Sequence, residues 1–162
     1  MESVAVARNE GAADRVRAVY EADHARLWRS LYAFSGSSEV ADEAAAEAFA
    51  QALRRGDEIR DVAAWVWRSA YAIARGELQR RRRTGAGVPP ERPAPEPDEL
   101  TGLLATLAEL PEADRELIVL CHVAGWRPGE LAAVLDANPG AIRVRLHRAT
   151  TRARELLEGS ER

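Results

Sequence analysis

The spacing of apolar residues predicts helices along most of the chain. In the first half, apolar side chains recur every three or four residues, which places them on one side of a helix. Short breaks rich in serine, glycine or aspartate divide this half into helices predicted over about 14–34, 39–54 and 62–83. Asp61 can cap the last of these helices with its side-chain oxygen. The first half is therefore predicted to be a small all-α module.

The second half has the same helical periodicity, interrupted by sharper breaks. Helices are predicted over about 98–109, 112–123, 128–135 and 139–157. Pro128 suits the first turn of a helix, where a missing N–H costs nothing. Asn138 can cap the last helix, with Pro139 at its first position. This half therefore ends in a short helix, a tight turn and a long helix.

The long last helix has an apolar side and a basic side. Its apolar stripe consists of Ile142, Leu146, Ala149, Ala153 and Leu156. The residues that fall away from this stripe are Arg143, Val144, His147, Arg148 and Arg154. The absence of acidic residues between Gly140 and Arg154 is unusual for a helix that is merely solvated. The pattern favours a helix-turn-helix that reads DNA, with a helical hairpin of solvated arginines as the alternative.

A proline- and glycine-rich segment separates the two halves. Residues 84–97 are too rich in these residues for regular structure, and the segment is also acidic. We therefore expect two helical modules joined by a flexible linker. The predicted division is a disordered N-terminus at 1–12, a first module at 13–83, the linker at 84–98, a second module at 99–158 and a tail at 159–162.

The third predicted helix ends in a run of four arginines, residues 80–83. Cations near a helix C-terminus are favoured by the helix dipole, so an exposed helix end is the simpler interpretation. A stripe that binds phosphates beside the aromatic Trp65 is the sharper alternative, because single-stranded nucleic acid is held by such combinations. The residues alone leave both open and favour the first.

Composition limits the other function classes. The chain has 162 residues and a net charge of −3, so any nucleic-acid contact must come from a local patch. Every basic residue other than histidine is arginine, and Cys121 is the only cysteine. Neither a membrane span nor a signal pattern is present, so we expect a cytoplasmic protein without membrane contact. Cys121 and His122 lack further ligands or a catalytic partner, which predicts no metal, no cofactor and no enzyme activity.

Five segments carry a resemblance to one protein family: Leu107–Leu117, Gly125–Ala132 and Gly140–Ala149 in the second half, and Asp42–Leu53 and Ala64–Ala70 in the first half. They resemble the extracytoplasmic-function group of the bacterial sigma factors, and the three segments of the second half are similar to that family's fourth region. In the first half, Asp42–Leu53 resembles the family's acidic polymerase-docking helix, and Ala64–Ala70 resembles its tryptophan-containing third helix. The order of the two modules and the position of the linker also match.

This resemblance implies a set of partners and site residues. Docking on the clamp helices of the largest subunit of core RNA polymerase would involve Asp42, Glu43, Glu47 and Phe49. The downstream promoter element would be held, as its strands separate, by Trp65, Arg68, Arg75, Gln79, Arg80, Arg81, Arg82 and Arg83. The upstream element would be read in the major groove by Gly140, Ala141, Arg143, Val144, His147 and Arg148. The polymerase flap and an anti-sigma factor are further implied partners.

The chain also departs from the family pattern. Ala46 replaces a usual glutamine in the docking helix, while Tyr71, Ala72 and Gly76 replace usual residues of the third helix. The second set bears on strand capture and packing. Two hypotheses are therefore kept. The chain is either a promoter-specificity subunit of RNA polymerase, or a sigma-like adaptor or anti-sigma decoy that acts by protein–protein contact without melting DNA.

Overall fold

A computed structural model describes residues 2–85 and 99–160, and every regular element in these ranges is helical. The prediction of an all-α fold is therefore confirmed. The helices of the first half are α1 (Glu2–Ser35), α2 (Ser38–Arg55) and α3 (Val62–Arg83). Those of the second half are α4 (Glu99–Glu109), α5 (Glu112–Ile118), α6 (Pro128–Leu135) and α7 (Pro139–Ser160). The predicted linker, apart from residues 84 and 85, lies outside the described residues, as do residues 161 and 162 of the predicted tail.

The first helix starts well before the expected position. Disorder was expected over 1–12, whereas α1 begins at Glu2. Ala12 is only 3% exposed, and it faces Gly56 in the turn after α2, where an added Cβ would lie 3.7 Å from the Ala12 Cβ. Arg15 donates a hydrogen bond to the Ile59 carbonyl oxygen at 2.5 Å. The helix therefore extends through this range, and its contacts with the turn at Ala12 and Arg15 are tertiary contacts that a local sequence pattern does not contain.

Side-chain caps set the helix starts largely as predicted. The Asp61 carboxylate accepts a hydrogen bond from the Ala64 N–H at 3.0 Å, which caps α3. The Ser37 hydroxyl accepts from the Val40 N–H at 3.2 Å at the start of α2. The Asn138 side-chain oxygen accepts from the Gly140 N–H at 2.8 Å at the start of α7. These local contacts explain why the helix boundaries could be read from the sequence.

Each module has its own apolar interior. In the first, α1, α2 and α3 pack around large side chains that are at most 1% exposed, among them Leu27, Leu31, Phe34 and Trp67. In the second, Leu117, Leu120, Leu131, Ile142 and Ala149 are also at most 1% exposed. Between α5 and α6 the chain forms a π-helical turn, Val119–Val123, before Gly125 reverses its direction.

The two modules also pack against each other. The rings of Trp67 in α3 and Trp126 before α6 meet edge to face, with centroids 5.3 Å apart. The Arg26 guanidinium of α1 lies 5.0 Å from the Trp67 ring and 5.1 Å from the Trp126 ring. Arg26 also donates a hydrogen bond to the Ala124 carbonyl oxygen at 3.1 Å. The apolar interiors of the two modules are therefore continuous at this junction.

Candidate nucleic-acid and protein-binding surfaces

The basic side of α7 is open to solvent. All six residues predicted to read the upstream element are exposed, namely Gly140, Ala141, Arg143, Val144, His147 and Arg148. Val144, the one large apolar residue among them, is 51% exposed. On the opposite side, Ile142 and Ala149 are completely buried. The helix is therefore held by one side and presents the other, as groove reading requires.

The turn before α7 is built by local backbone geometry. Asp136 ends α6 in the left-handed region with a φ of 50°, and the Ala137 N–H donates to the Ala132 carbonyl oxygen at 3.2 Å. Asn138 then caps α7 directly. This arrangement is the short helix, tight turn and long helix that the sequence predicted. It brings α6 against α7, and Leu131 and Val134 of α6 are completely buried.

A shallow basic groove extends this surface. It has a volume of about 330 Å³, and its lining includes His122, Arg143, His147 and Arg154. His122 belongs to the π-helical turn, so only the folding of α7 against this turn brings it beside the recognition helix. The His122 side chain is exposed. Its place in the basic groove could not be predicted, because the residues are joined by tertiary packing and not by spacing.

The arginine run at the end of α3 is partly neutralised within its own helix. Arg80 and Arg81 both bind the Glu77 carboxylate, at 2.6 Å and 2.9 Å. These bonds, with Arg80 the larger contributor, lower the pKa of Glu77 to about 2. Arg81 also lies 3.5 Å from Glu39 of α2. Two of the four arginines of the run are therefore paired with a carboxylate of their own helix, in line with the simpler of the two interpretations.

Three other arginines of α3 face the second module. Arg68, Arg75 and Arg82 are spaced seven residues apart, which is nearly two helical turns, so they share one side of the helix. We call them the arginine stripe. Arg68 donates to the Ala133 carbonyl oxygen at 2.9 Å, Arg75 pairs with Glu116, and Arg82 binds Glu112 at 2.7 Å.

The remaining residues predicted for the downstream element point elsewhere. Trp65 is half-buried, and the Arg55 guanidinium lies 6.0 Å from its ring centre. Gln79 and Arg83 are exposed near the end of α3. The eight residues of the predicted downstream set therefore do not form one open surface. They divide into the arginine stripe, the pairs with Glu77, and three separate residues.

The acidic face of α2 is open, but its aromatic residue is not. Asp42, Glu43 and Glu47 are exposed, whereas Phe49 is only 6% exposed. The Phe49 ring packs edge-on against Tyr20 of α1, with centroids 5.0 Å apart, and Tyr20 is 48% exposed. The aromatic surface beside the acidic face is therefore supplied by Tyr20. Packing between α1 and α2 thus places the Tyr20 ring at the surface and the Phe49 ring behind it.

The acidic residues of α2 are already hydrogen-bonded. Asp42 accepts from the Trp28 indole N–H at 2.6 Å. Glu47 accepts from Gln51 and Arg54, both at 2.9 Å, and these bonds lower its pKa. The Glu47 carboxylate therefore stays ionised near neutral pH, as contact with a basic partner surface requires.

The departures from the family pattern have different structural settings. Tyr71 is fully buried, and its ring lies 5.3 Å from that of Phe34, so it is a core residue. Ala46, Ala72 and Gly76 are exposed. Relative to the residues usual in the family, Tyr71 therefore changes the packing of the core. Ala46, Ala72 and Gly76 instead leave fewer side-chain atoms at the surface.

Within the described ranges, no group of three or more histidine, cysteine or acidic side chains is arranged to hold a metal ion. No helix in the same ranges has the length and apolar character that crossing a membrane needs. Cys121 is partly buried among apolar neighbours, and burial raises the pKa of its thiol.

The similar sequences described here are RNA polymerase sigma factors. The family model "Sigma-70, region 4" matches residues 100–152. The chain is 28% identical over 161 residues to the ECF RNA polymerase sigma factor SigL of Mycobacterium tuberculosis, with 88% of this chain and 89% of that protein covered. It is 34% identical over 102 residues to the RNA polymerase sigma factor CarQ of Myxococcus xanthus, covering 57% of this chain and 59% of that protein.

Solved structures agree with these sequence matches. CnrH, solved in complex with the cytosolic domain of CnrY, is similar with a TM-score of 0.73 and 25% identity, covering 96% of this chain and 95% of that one. The sigma factor RpoE, solved with the anti-sigma factor NepR from Bartonella quintana, shares the fold with a TM-score of 0.67 at 20% identity, covering 90% of this chain and 95% of that one.

The sequence relatives extend over both modules, and the matched family model covers the helix-turn-helix. The resemblance first seen in five short segments is thus confirmed along the length of the chain. The chain belongs to the extracytoplasmic-function group of the sigma-70 family of RNA polymerase sigma factors.

Proposed function

We propose that this sigma factor directs core RNA polymerase to its promoters by reading the upstream element with the basic side of α7. The observation that carries this proposal is the open, acid-free face of α7, anchored from behind by Ile142 and Ala149. Guanidinium groups at Arg143 and Arg148 can pair with guanine edges or phosphate oxygens. The chemistry of RNA synthesis stays with polymerase, and the protein acts in the cytoplasm.

Polymerase docking is assigned to the acidic face of α2. Asp42, Glu43 and Glu47 supply negative charge, and the exposed edge of Tyr20 supplies an aromatic contact at the border of that face. Aromatic residues surrounded by charge are common at the centre of protein interfaces. Phe49 has a supporting role in this proposal, because it lies behind Tyr20 and holds its ring.

The downstream element is assigned to α3. Its side chains with free polar or aromatic surface are Trp65, Gln79 and Arg83, and the arginine stripe joins them when it is free of the second module. Stacking on an aromatic ring together with arginine–phosphate contacts is a suitable chemistry for holding a separated strand. An anti-sigma protein is a further proposed partner, because the similar RpoE structure described above is of a complex with the anti-sigma factor NepR.

Run-off transcription tests the proposal. Purified protein and core polymerase are incubated with a library of genomic fragments, and the transcripts are sequenced. We expect transcripts that start downstream of a shared pair of promoter elements. Transcription should depend on α7, so R143A/R148A should lose most of it.

The matched control is R17A/R29A, which removes the same charge from exposed positions of α1. It should transcribe like the unchanged protein. If no fragment is transcribed although the protein still binds core polymerase, the promoter-specific role is wrong and the adaptor hypothesis gains support. If the two double variants behave alike, α7 does not read the promoter.

A further inference from the structure

A cavity of about 270 Å³ lies between α3 and the second module. Its charged lining consists of Arg68 and Arg75 from α3, Glu116 from α5 and Arg145 from α7. With all four groups ionised, the lining carries three positive charges and one negative charge. The whole chain, by contrast, has a net charge of −3. The cavity is therefore a local basic site in an acidic protein.

The three arginines of the cavity differ in how far they are already engaged. Arg75 pairs with Glu116. Arg68 donates a hydrogen bond to the Ala133 carbonyl oxygen at 2.9 Å, and this neutral acceptor leaves the guanidinium charge uncompensated. Within the described part of the chain, Arg145 makes no hydrogen bond and no ion pair. Two of the three guanidinium groups at the cavity therefore lack a carboxylate partner.

Charges at this cavity are only partly screened by water. Leu117 and Val134, which also line it, are at most 1% exposed, and the Glu116 side chain is 9% exposed. Burial raises the pKa of Glu116, and the charges of Arg75 and Arg145 oppose this effect. The charge of Arg145 therefore reaches the interior of the cavity. In such surroundings, charges interact more strongly than at an open surface.

A small anion with two or more negative charges suits this lining. The planar guanidinium group matches phosphate oxygens, and hydrogen bonds between charged groups are among the stronger ones. A water molecule takes up about 30 Å³ in the liquid, so the cavity has room for an ion of the size of phosphate or pyrophosphate. Arg68 and Arg75 belong to the first module and Arg145 to the second, so one anion would be held by both.

We propose that this cavity, which we call the anion cavity, is a binding site for a small phosphorylated anion. Arg145 and Arg68 supply the uncompensated positive charge, and Arg75 joins them from its pair with Glu116. Side chains of four helices line the anion cavity, which suits a compact ligand better than a nucleic-acid strand, since a strand needs a groove that continues along the surface. This activity goes beyond promoter recognition, because none of the residues assigned to upstream-element reading lines the cavity.

Isothermal titration calorimetry with inorganic pyrophosphate tests the anion cavity in the full-length protein. The buffer contains no phosphate, and its ionic strength is held constant with chloride. We expect saturable binding of one pyrophosphate per chain. R145A should weaken this binding about tenfold or more, because it removes a charged hydrogen-bond donor from the ligand. Since Arg145 has no hydrogen bond or ion pair to lose, R145A should unfold at the same temperature as the unchanged protein when no ligand is present.

Two further variants separate the anion cavity from a general charge effect. R29A removes the same charge from an exposed position of α1 and should bind pyrophosphate like the unchanged protein. E116Q removes the carboxylate that competes with the ligand for Arg75, so it should strengthen binding by about fivefold. A damaged fold would weaken binding instead. In thermal unfolding, added pyrophosphate should raise the midpoint of the unchanged protein more than that of R145A.

Competition with a single-stranded oligothymidine distinguishes a free anion from a DNA phosphate. We expect pyrophosphate to bind with the same affinity whether or not the oligothymidine is present. If the oligothymidine displaces pyrophosphate and R145A weakens both equally, the cavity is part of a DNA-binding surface and the proposal is wrong. Absence of saturable pyrophosphate binding, or equal losses in R145A and R29A, would also overturn it.

Discussion

The basic sides of α7 and α3 use the same side-chain chemistry but differ in what surrounds them. On α7, no acidic residue lies between Gly140 and Arg154, and the arginines of the reading face are exposed. On α3, four arginines pair with Glu77 of the same helix or with Glu112 and Glu116 of the second module. The number of arginines on a helix therefore does not decide whether it can bind DNA. The position of the nearest carboxylates decides it.

The largest expected effect comes from breaking the support that both surfaces share. Trp67 is completely buried, donates a hydrogen bond to Asp23 at 2.9 Å and meets Trp126 across the module junction. W67A should lower the free energy of unfolding by about 3–5 kcal/mol, as for other large aromatic residues in a core. Urea denaturation measures this change. W65A, at a half-buried position of the same helix, is the control and should lower the free energy of unfolding much less.

The next effect concerns the two surfaces directly. R143A should weaken binding to a promoter duplex by about 1–3 kcal/mol and reduce its salt dependence, because a base or phosphate contact is lost. R68A removes an arginine that is engaged with Ala133, so it should leave duplex binding unchanged. Fluorescence anisotropy at several salt concentrations measures both. Equal losses in the two variants would show that the surfaces do not differ in accessibility.

A smaller effect is expected at the start of α7. N138A removes the side-chain oxygen that accepts from the Gly140 N–H, and lost caps of this kind cost about 1 kcal/mol. N138D keeps an acceptor and should retain most of the stability. Thermal unfolding compares the two variants. If N138A is as stable as N138D, the cap does not hold the recognition helix in place.

The smallest effect is a pH dependence at the end of α3. Arg80 and Arg81 lower the pKa of Glu77 from its ordinary 4.5 to about 2. The carboxylate therefore stabilises the folded state above about pH 4.5, and this contribution is lost as the pH falls toward 2. E77Q should be less stable than the unchanged protein at neutral pH by less than about 1 kcal/mol, since such pairs are screened by water. The difference should disappear in acid, and urea titrations at several pH values test this.

The contribution of Glu116 to stability should have the opposite pH dependence. Its pKa is raised by burial, so its contribution is greatest below its ordinary value of 4.5 and declines as the pH rises through the higher folded value. In the same titrations, the free energy of unfolding of the unchanged protein relative to that of E116Q should therefore decrease as the pH rises. If this stability difference changed with pH in the same direction for E77Q and E116Q, the contrast between the Glu77 pair and the buried Glu116 pair would be contradicted.

Much of the candidate site followed from local patterns. The open face of α7 could be predicted because a helix with Ile142 and Ala149 buried must turn Arg143 and Arg148 outward. The exposed acids of α2 followed from the same rule. The roles of Tyr20 and Phe49 did not, because both lie on apolar stripes and only packing decides which ring covers the other. The helical start of α1 was also missed, since the contacts of Ala12 and Arg15 are with the turn after α2.

The sequence by itself determined the helices, their caps, the two-module order and the family. Each of these depends on residues close together in the chain, such as Asp61 with Ala64 or Asn138 with Gly140. Only the tertiary structure decided that Arg68, Arg75 and Arg82 face the second module while Arg143 and Arg148 face solvent. Periodicity states which side of a helix a residue occupies. It does not state what lies opposite that side, because the partner comes from a distant part of the chain.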